Sequence, residues 1–157
     1  MSASAPQNSS QTARCAIPPA GLSAFGAADS VITVSPQAVV ANWQHLDSLS
    51  GPETDTAAVV KANGYGLGST QLAPHLAVAG CKTFFVMSLA EALSLRAALS
   101  SHDHGNSEIL ALGGCHSGQE DDFIAHDITP VINNAEQLDR LAATGRARQQ
   151  SVPAALH

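Results

Sequence analysis

Residues 57–69 read AAVVKANGYGLGS, and the fold turns on how this stretch is read. A short apolar run ends at Lys61, a glycine-rich turn carries Tyr65, and a helix-like pattern begins at Ser69. Four apolar residues alone suit a strand or a helix. The valines and the glycines behind them favour a buried strand. The chain has two lysines and one tyrosine. Lys82 precedes the run TFFV and so belongs to the N-terminal end of a strand, whereas Lys61 closes one. In parallel α/β proteins the chemistry collects at the C-terminal ends of strands, so Lys61 is the lysine to watch.

Upstream, SVITV (30–34) alternates and is β-branched, the pattern of a strand. Ser35-Pro36 is a helix start, with Val39, Trp43 and Leu46 at helical spacing and Gly51-Pro52 as the stop. Trp43 reads as a core anchor. Residues 1–28, rich in Ser, Ala, Pro, Gln and Gly, show no period and read as a disordered tail.

Downstream, a helix from Ser69 to Ala79 presents Leu72 and Leu76 and ends at Gly80, with Pro74 implying a late start or a kink. TFFVM, EILAL, DITPVI and AALH read as strands, the third short or irregular at Pro130. Three capping boxes, Ser88/Glu91, Ser117/Glu120 and Asn134/Gln137, open the helices between them. TGRARQQSVP (144–153) reads as a polar connector. Strands alternating with amphipathic helices mean a parallel α/β sheet, either doubly wound or part of a (β/α) barrel. The pattern does not choose between the two.

The net charge of −6, without a basic stripe, argues against a nucleic-acid partner. No apolar run is long enough to span a bilayer. Cys15, Cys81 and Cys115 are odd in number and widely spaced, which suits reduced thiols and a cytoplasmic setting. His102, His104, Cys115 and His116 match no familiar zinc spacing, and Glu120–Asp122 suits the acidic first turn of a helix.

Lys61 leaves an apolar strand, a setting that favours the free amine a Schiff base requires. Gly64, Gly66 and Gly68 permit positive φ, and a helix N-terminus behind them suits an anion. Tyr65 lies near enough to touch that anion. Ser69 where a third glycine belongs, and Met87-Ser88 where an acidic residue belongs, argue against a dinucleotide fingerprint, and the absence of G-K-[ST] argues against a phosphate-loop NTPase.

The motif AVVKANGYGLG (58–68) resembles the cofactor-lysine motif of alanine racemases. Upstream of it, VSPQAVVANWQHL resembles that family's opening helix; downstream, FFVMSLAEALSLR resembles its second strand and helix, and ILALGG and ITPVINNAEQLDRL the next two units. The resemblance implies the fold: part of a TIM-type (β/α)8 barrel over residues 29–157, with four to five strand–helix units, from a two-domain, fold-type III enzyme. It implies pyridoxal phosphate as cofactor, Lys61 as its Schiff-base lysine and acid–base group, and Tyr65 as a phosphate contact. It further implies an isomerase interconverting L- and D-alanine for peptidoglycan, working as a homodimer. A barrel needs about 250 residues, and the family's opposing tyrosine base and C-terminal β domain have no counterpart here, so the chain is expected to be a poorly active or inactive part of such an enzyme. A non-enzymatic cofactor-binding barrel and a degenerate product are the alternatives.

Overall fold

The computed structural model describes residues 32–157; the tail reading for 1–28 lies outside them. Helix α1 (Pro36–Ser48) comes first, then strand β1 (Ala58–Val59) and a single turn, α2 (Lys61–Tyr65). The chain continues as α3 (Ser69–Val78), β2 (Thr83–Val86), α4 (Leu89–Ser100) and β3 (Glu108–Ala111). It closes with α5 (Glu120–Ala125), β4 (Thr129–Ile132), α6 (Ala135–Arg148) and β5 (Ala155–Leu156).

The five strands form one sheet in the order β1-β2-β3-β4-β5, every neighbouring pair parallel. A doubly wound sheet reverses its strand order at a switch point. Here the order never reverses, which selects the barrel layout that the pattern left open. The register sets Ala58 beside Phe84 and Phe84 beside Ile109, and these side chains face the helices. They meet Leu76, Leu89, Ala92, Leu95, Leu99 and Phe123 in one apolar core, with Phe84, Leu95, Leu99 and Ile109 fully enclosed. Trp43 packs against that core and donates its Nε1 hydrogen to the Thr56 carbonyl at 3.0 Å, an anchor as read.

Several sequence expectations need correction. Ile32–Val34 form no strand, and Ile32 is exposed; Ser30 and Val31 lie outside the described residues. An alternating pattern makes a strand only where a neighbour offers a ladder, and the sheet begins at β1. The run 57–60 is not buried on both faces: Val59 is 46 % exposed on the face away from the helices. Helix α3 begins at Ser69 without delay and carries Pro74 buried within it. Ser117 caps nothing. Gly118 takes φ 84°, α5 starts after Gln119, and Glu120 instead accepts the Gly118 amide at 2.8 Å and pairs with Arg140 at 3.0 Å. The connector read from Thr144 is helical through Arg148. A Cβ on Gly145 would lie 3.0 Å from the Gln150 carbonyl, so the glycine admits the returning chain, and Gln149 takes the left-handed cap at φ 53°.

The other two capping boxes form. Ser88 Oγ accepts from the Glu91 amide at 3.4 Å, and Asn134 Oδ1 from the Gln137 amide at 2.9 Å. Pro130 sits in a strand flanked on both sides, its register partner being Ala111 of β3.

Burial pushes the thiols of Cys81 and Cys115 up to about 11, helped at Cys115 by the nearby Glu120 carboxylate. A raised acid pKa stabilises the fold fully below the unfolded value of 9.0, and that contribution is lost as pH rises through the folded one. The urea midpoint is therefore expected to fall between about pH 9 and pH 11, and the fall to flatten in a Cys81→Ala/Cys115→Ala double variant. An equal fall in that variant would show the thiols contribute nothing to it.

Candidate active site

The C-terminal ends of the strands make one rim, and Lys61 stands on it directly after β1, half-buried. The ladder reaches as far as Val60, whose amide donates to the Phe85 carbonyl at 2.8 Å. Beyond it the backbone changes hand. Ala62 (φ 51°, ψ 48°), Asn63 (φ 53°, ψ 46°), Gly64 (φ 64°, ψ 40°) and Tyr65 (φ 54°) are all left-handed. The turn closes through the Gly64 amide on the Val60 carbonyl at 2.8 Å and the Gly66 amide on the Ala62 carbonyl at 2.9 Å.

For an L-residue other than glycine this conformation costs roughly 1–2 kcal/mol, less for Asn. A run of such residues persists only where surrounding contacts over-determine it. Three contacts do so. Asn63 Oδ1 accepts the Ser69 amide at 3.1 Å and lies 3.4 Å from the Ser69 hydroxyl, so it ties the turn to the start of α3. Gly64 is buried against that same point, where a Cβ would come 3.1 Å from the Ser69 nitrogen. Glu91 Oε1 accepts the Ala62 amide at 2.9 Å while its Oε2 accepts the Met87 amide at 2.8 Å, which joins the turn to the end of β2. Neither Asn63 nor Glu91 was singled out for this in the sequence. Asn63 carried a signal, an Asn among glycines, which often marks a left-handed residue. Glu91 was visible only as half of a capping box.

Tyr65 is 63 % exposed on the same turn. Gly66 (φ 86°) has open space where a Cβ would lie, so the backbone between Lys61 and α3 leaves room for a bound group. The donor set here is a primary amine, a phenolic hydroxyl and glycine backbone. That set suits a phosphorylated aldehyde, which needs a nucleophilic amine and hydrogen-bond donors. The helix N-terminus expected to attract an anion is partly used, since Asn63 already takes the Ser69 amide.

The rim continues along the sheet. Gly113 donates its amide to the Met87 carbonyl at 2.8 Å, and a Cβ on Gly114 would overlap the Gln137 side chain. The glycine pair after β3 thus allows strand ends and helix starts to touch. Lys82 is at the opposite end of the sheet, exposed, and bonds Asp55 at 2.8 Å. Asp55 holds its ammonium above the usual value. His102 Nδ1 lies 2.9 Å from the Ala98 carbonyl and 3.0 Å from Ser101 Oγ, a local helix-end arrangement.

Comparison with known proteins places the fold in a family. The family profile described as "Alanine racemase, N-terminal domain" matches residues 34–157. The alanine racemase of Acidiphilium cryptum is 44 % identical over 117 residues, covering 74 % of this chain and 29 % of that protein. The Rhodospirillum rubrum alanine racemase is 35 % identical over 130 residues, covering 83 % of this chain and 34 % of its own. Among solved structures, alanine racemase from Bartonella henselae, with covalently bound pyridoxal phosphate, superposes with a TM-score of 0.71 at 36 % identity, over 77 % of this chain and 32 % of that one. The E. faecalis enzyme gives a TM-score of 0.63 at 29 % identity, over 71 % of this chain and 29 % of its own. The chain thus spans about a third of the length of the relatives it matches. With the profile match running from Val34 to His157, the chain belongs to the alanine racemase family, in its N-terminal barrel domain.

Proposed function

We propose that this chain supplies the cofactor-bearing part of an alanine racemase site, with Lys61 as the residue that holds pyridoxal phosphate. The supporting observation is the position of Lys61: a lysine at the C-terminal end of β1, on a left-handed turn held by Glu91 and Asn63, within the family-matched residues. Lys61 Nζ would hold the cofactor through its aldehyde carbon, and the Tyr65 hydroxyl would donate to its phosphate. When bound, pyridoxal phosphate supplies an electron sink for the charge that develops as an α-proton leaves the amino acid.

The chain's own residues supply the rest. The turn fixes where Nζ sits relative to the rim, and the glycines keep the backbone low enough for the phosphate to approach. Lys61 Nζ would carry a proton to or from one face of the substrate's α-carbon, alanine being the substrate by family. Inversion also requires an acid–base group on the other face. Tyr65, the chain's only tyrosine, is assigned to the phosphate. By family the working enzyme is a homodimer in the cytoplasm that provides D-alanine for peptidoglycan.

Borohydride trapping after incubation with pyridoxal phosphate tests the assignment. The label is expected on the peptide containing Lys61, well above that on Lys82. Equal labelling of both lysines would refute it. In deuterated water with D-alanine, α-proton exchange is expected to outrun inversion, and fast full racemisation by this chain would overturn the one-sided acid–base assignment.

A further inference from the structure

Two helix starts on the rim are built alike, apart from the cap residue and one terminal atom of the third helical residue. At α4, Glu91 is the third residue of the helix, its amide capped by Ser88. At α6, Gln137 holds the same place, capped by Asn134. In both, one side-chain oxygen turns back to accept the amide of the residue before the cap: Met87 at 2.8 Å for Glu91 Oε2, and Asn133 at 2.9 Å for Gln137 Oε1. In both, the second terminal atom crosses to the segment after the neighbouring strand of the sheet, β1 for α4 and β3 for α6. Gln137 Nε2 donates to the Gly113 carbonyl at 3.4 Å. Glu91 Oε1 accepts the Ala62 amide at 2.9 Å.

The neighbour's polarity accounts for the residue type. After β3 the chain offers a carbonyl, so the crossing atom must be a donor, and an amide side chain has one acceptor and one donor. After β1 it offers an N–H, so both terminal atoms must accept, which only a carboxylate provides. A glutamine at 91 would set its NH2 against an N–H.

We infer that Glu91 is a positioning residue for Lys61. The inference rests on Lys61 being the cofactor lysine. Lys61 lies between two gripped amides: Val60 in the sheet ladder on one side, Ala62 on Glu91 on the other. Ala62 has φ 51°, which alanine leaves unless held. Without the carboxylate, Ala62 relaxes toward right-handed backbone and Lys61 Nζ swings off the rim. Glu91 acts through the main chain and touches no reacting atom.

The test uses the whole chain as wild type, Glu91→Gln and, as a control for a disturbed capping box elsewhere, Gln137→Glu. Two readouts are taken. One is the limiting rate of borohydride-trappable labelling at Lys61 under saturating pyridoxal phosphate, with Lys82 as internal reference. The other is hydrogen exchange of the Ala62 amide. Glu91→Gln is expected to slow Lys61 labelling about tenfold, the scale of one lost charge-assisted bond, and to speed Ala62 exchange, while Lys82 is unaffected. Gln137→Glu is expected to shift the urea midpoint and leave Lys61 labelling alone. A merely structural role would make both variants lose Lys61 labelling in proportion to lost stability, and that result overturns the inference. So does unchanged labelling in Glu91→Gln with wild-type exchange at Ala62. If the wild type shows no preference for Lys61, the proposed function fails instead; Ala62 exchange then decides the anchoring, with an unchanged rate sinking it.

Discussion

Lys61→Ala is expected to abolish covalent capture of pyridoxal phosphate and to cut α-proton exchange from D-alanine by at least about 100-fold, the low end of what a positioned acid–base group contributes. The expectation follows from scarcity and place. Lys82 is the one other lysine. It sits ahead of β2, across the sheet from the rim, with its ammonium on Asp55 at 2.8 Å. It has no route to the rim where Lys61 stands. Lys61→Arg is the sharper variant. It keeps length and charge, yet a guanidinium stays protonated and does not attack an aldehyde. If charge alone matters, Lys61→Arg retains cofactor; if the amine matters, it fails like Lys61→Ala. Mass spectrometry of the trapped peptides separates the two, and labelling at wild-type level in either variant rejects Lys61 as the cofactor lysine.

Arg96→Met is expected to lower stability by about 3 kcal/mol, measured as a shift in urea midpoint. Arg96 leaves α4 at the end of the sheet opposite Lys61. Its guanidinium donates to the carbonyls of Gly105 (2.5 Å), Ser107 (2.6 Å), His126 (3.2 Å) and Asp127 (2.5 Å), so one side chain holds the loops entering β3 and β4. Burial pulls its pKa down, opposed by the Asp127 carboxylate, and the group stays charged. Bonds from a charged donor contribute roughly 1.5–3 kcal/mol each. They share one donor group, and water reaches some of the freed carbonyls, so the loss is well below their sum. Methionine keeps the apolar stem, which isolates the guanidinium. A midpoint within about 0.5 kcal/mol of wild type would mean water replaces it fully. Labelling at Lys61 is expected to survive in the folded fraction, since the two ends of the sheet do different work.

The elements that could be read from the residues were those whose cause is local. Apolar runs bounded by glycine gave β2 and β3, and Ser88 and Asn134 announced α4 and α6 because a cap acts within one turn. That Lys61 and Tyr65 share one turn after β1 was legible for the same reason. What escaped depends on residues far apart in the chain. Ser117 and Glu120 have capping-box spacing, but Arg140 on α6 draws Glu120 away. The run from Thr144 looks like a connector, but it stays helical through Arg148, and Val152 and Gln150 return to pack on Gly145. Val59 is apolar on a face that nothing in the run could identify as open. The choice between barrel and doubly wound sheet lay in strand order, which periodicity does not encode. Glu91 looked like a cap and is also a brace, because its second oxygen answers a group 29 positions earlier.

The inverted turn at Ala62–Tyr65 also bears on the order of assembly. A right-handed helix or a hairpin can flicker into shape from its own sequence before the rest of the chain arrives. Consecutive left-handed residues have no such head start, since each local preference opposes them. Their partners, Ser69 and Glu91, come from α3 and α4. The ground under Lys61 is therefore laid late, once β1, β2 and both helices have met, and it is the first part of this rim to lapse when they separate. Selective reaction at Lys61, beyond testing its proposed role, would report that β1, β2, α3 and α4 have come together.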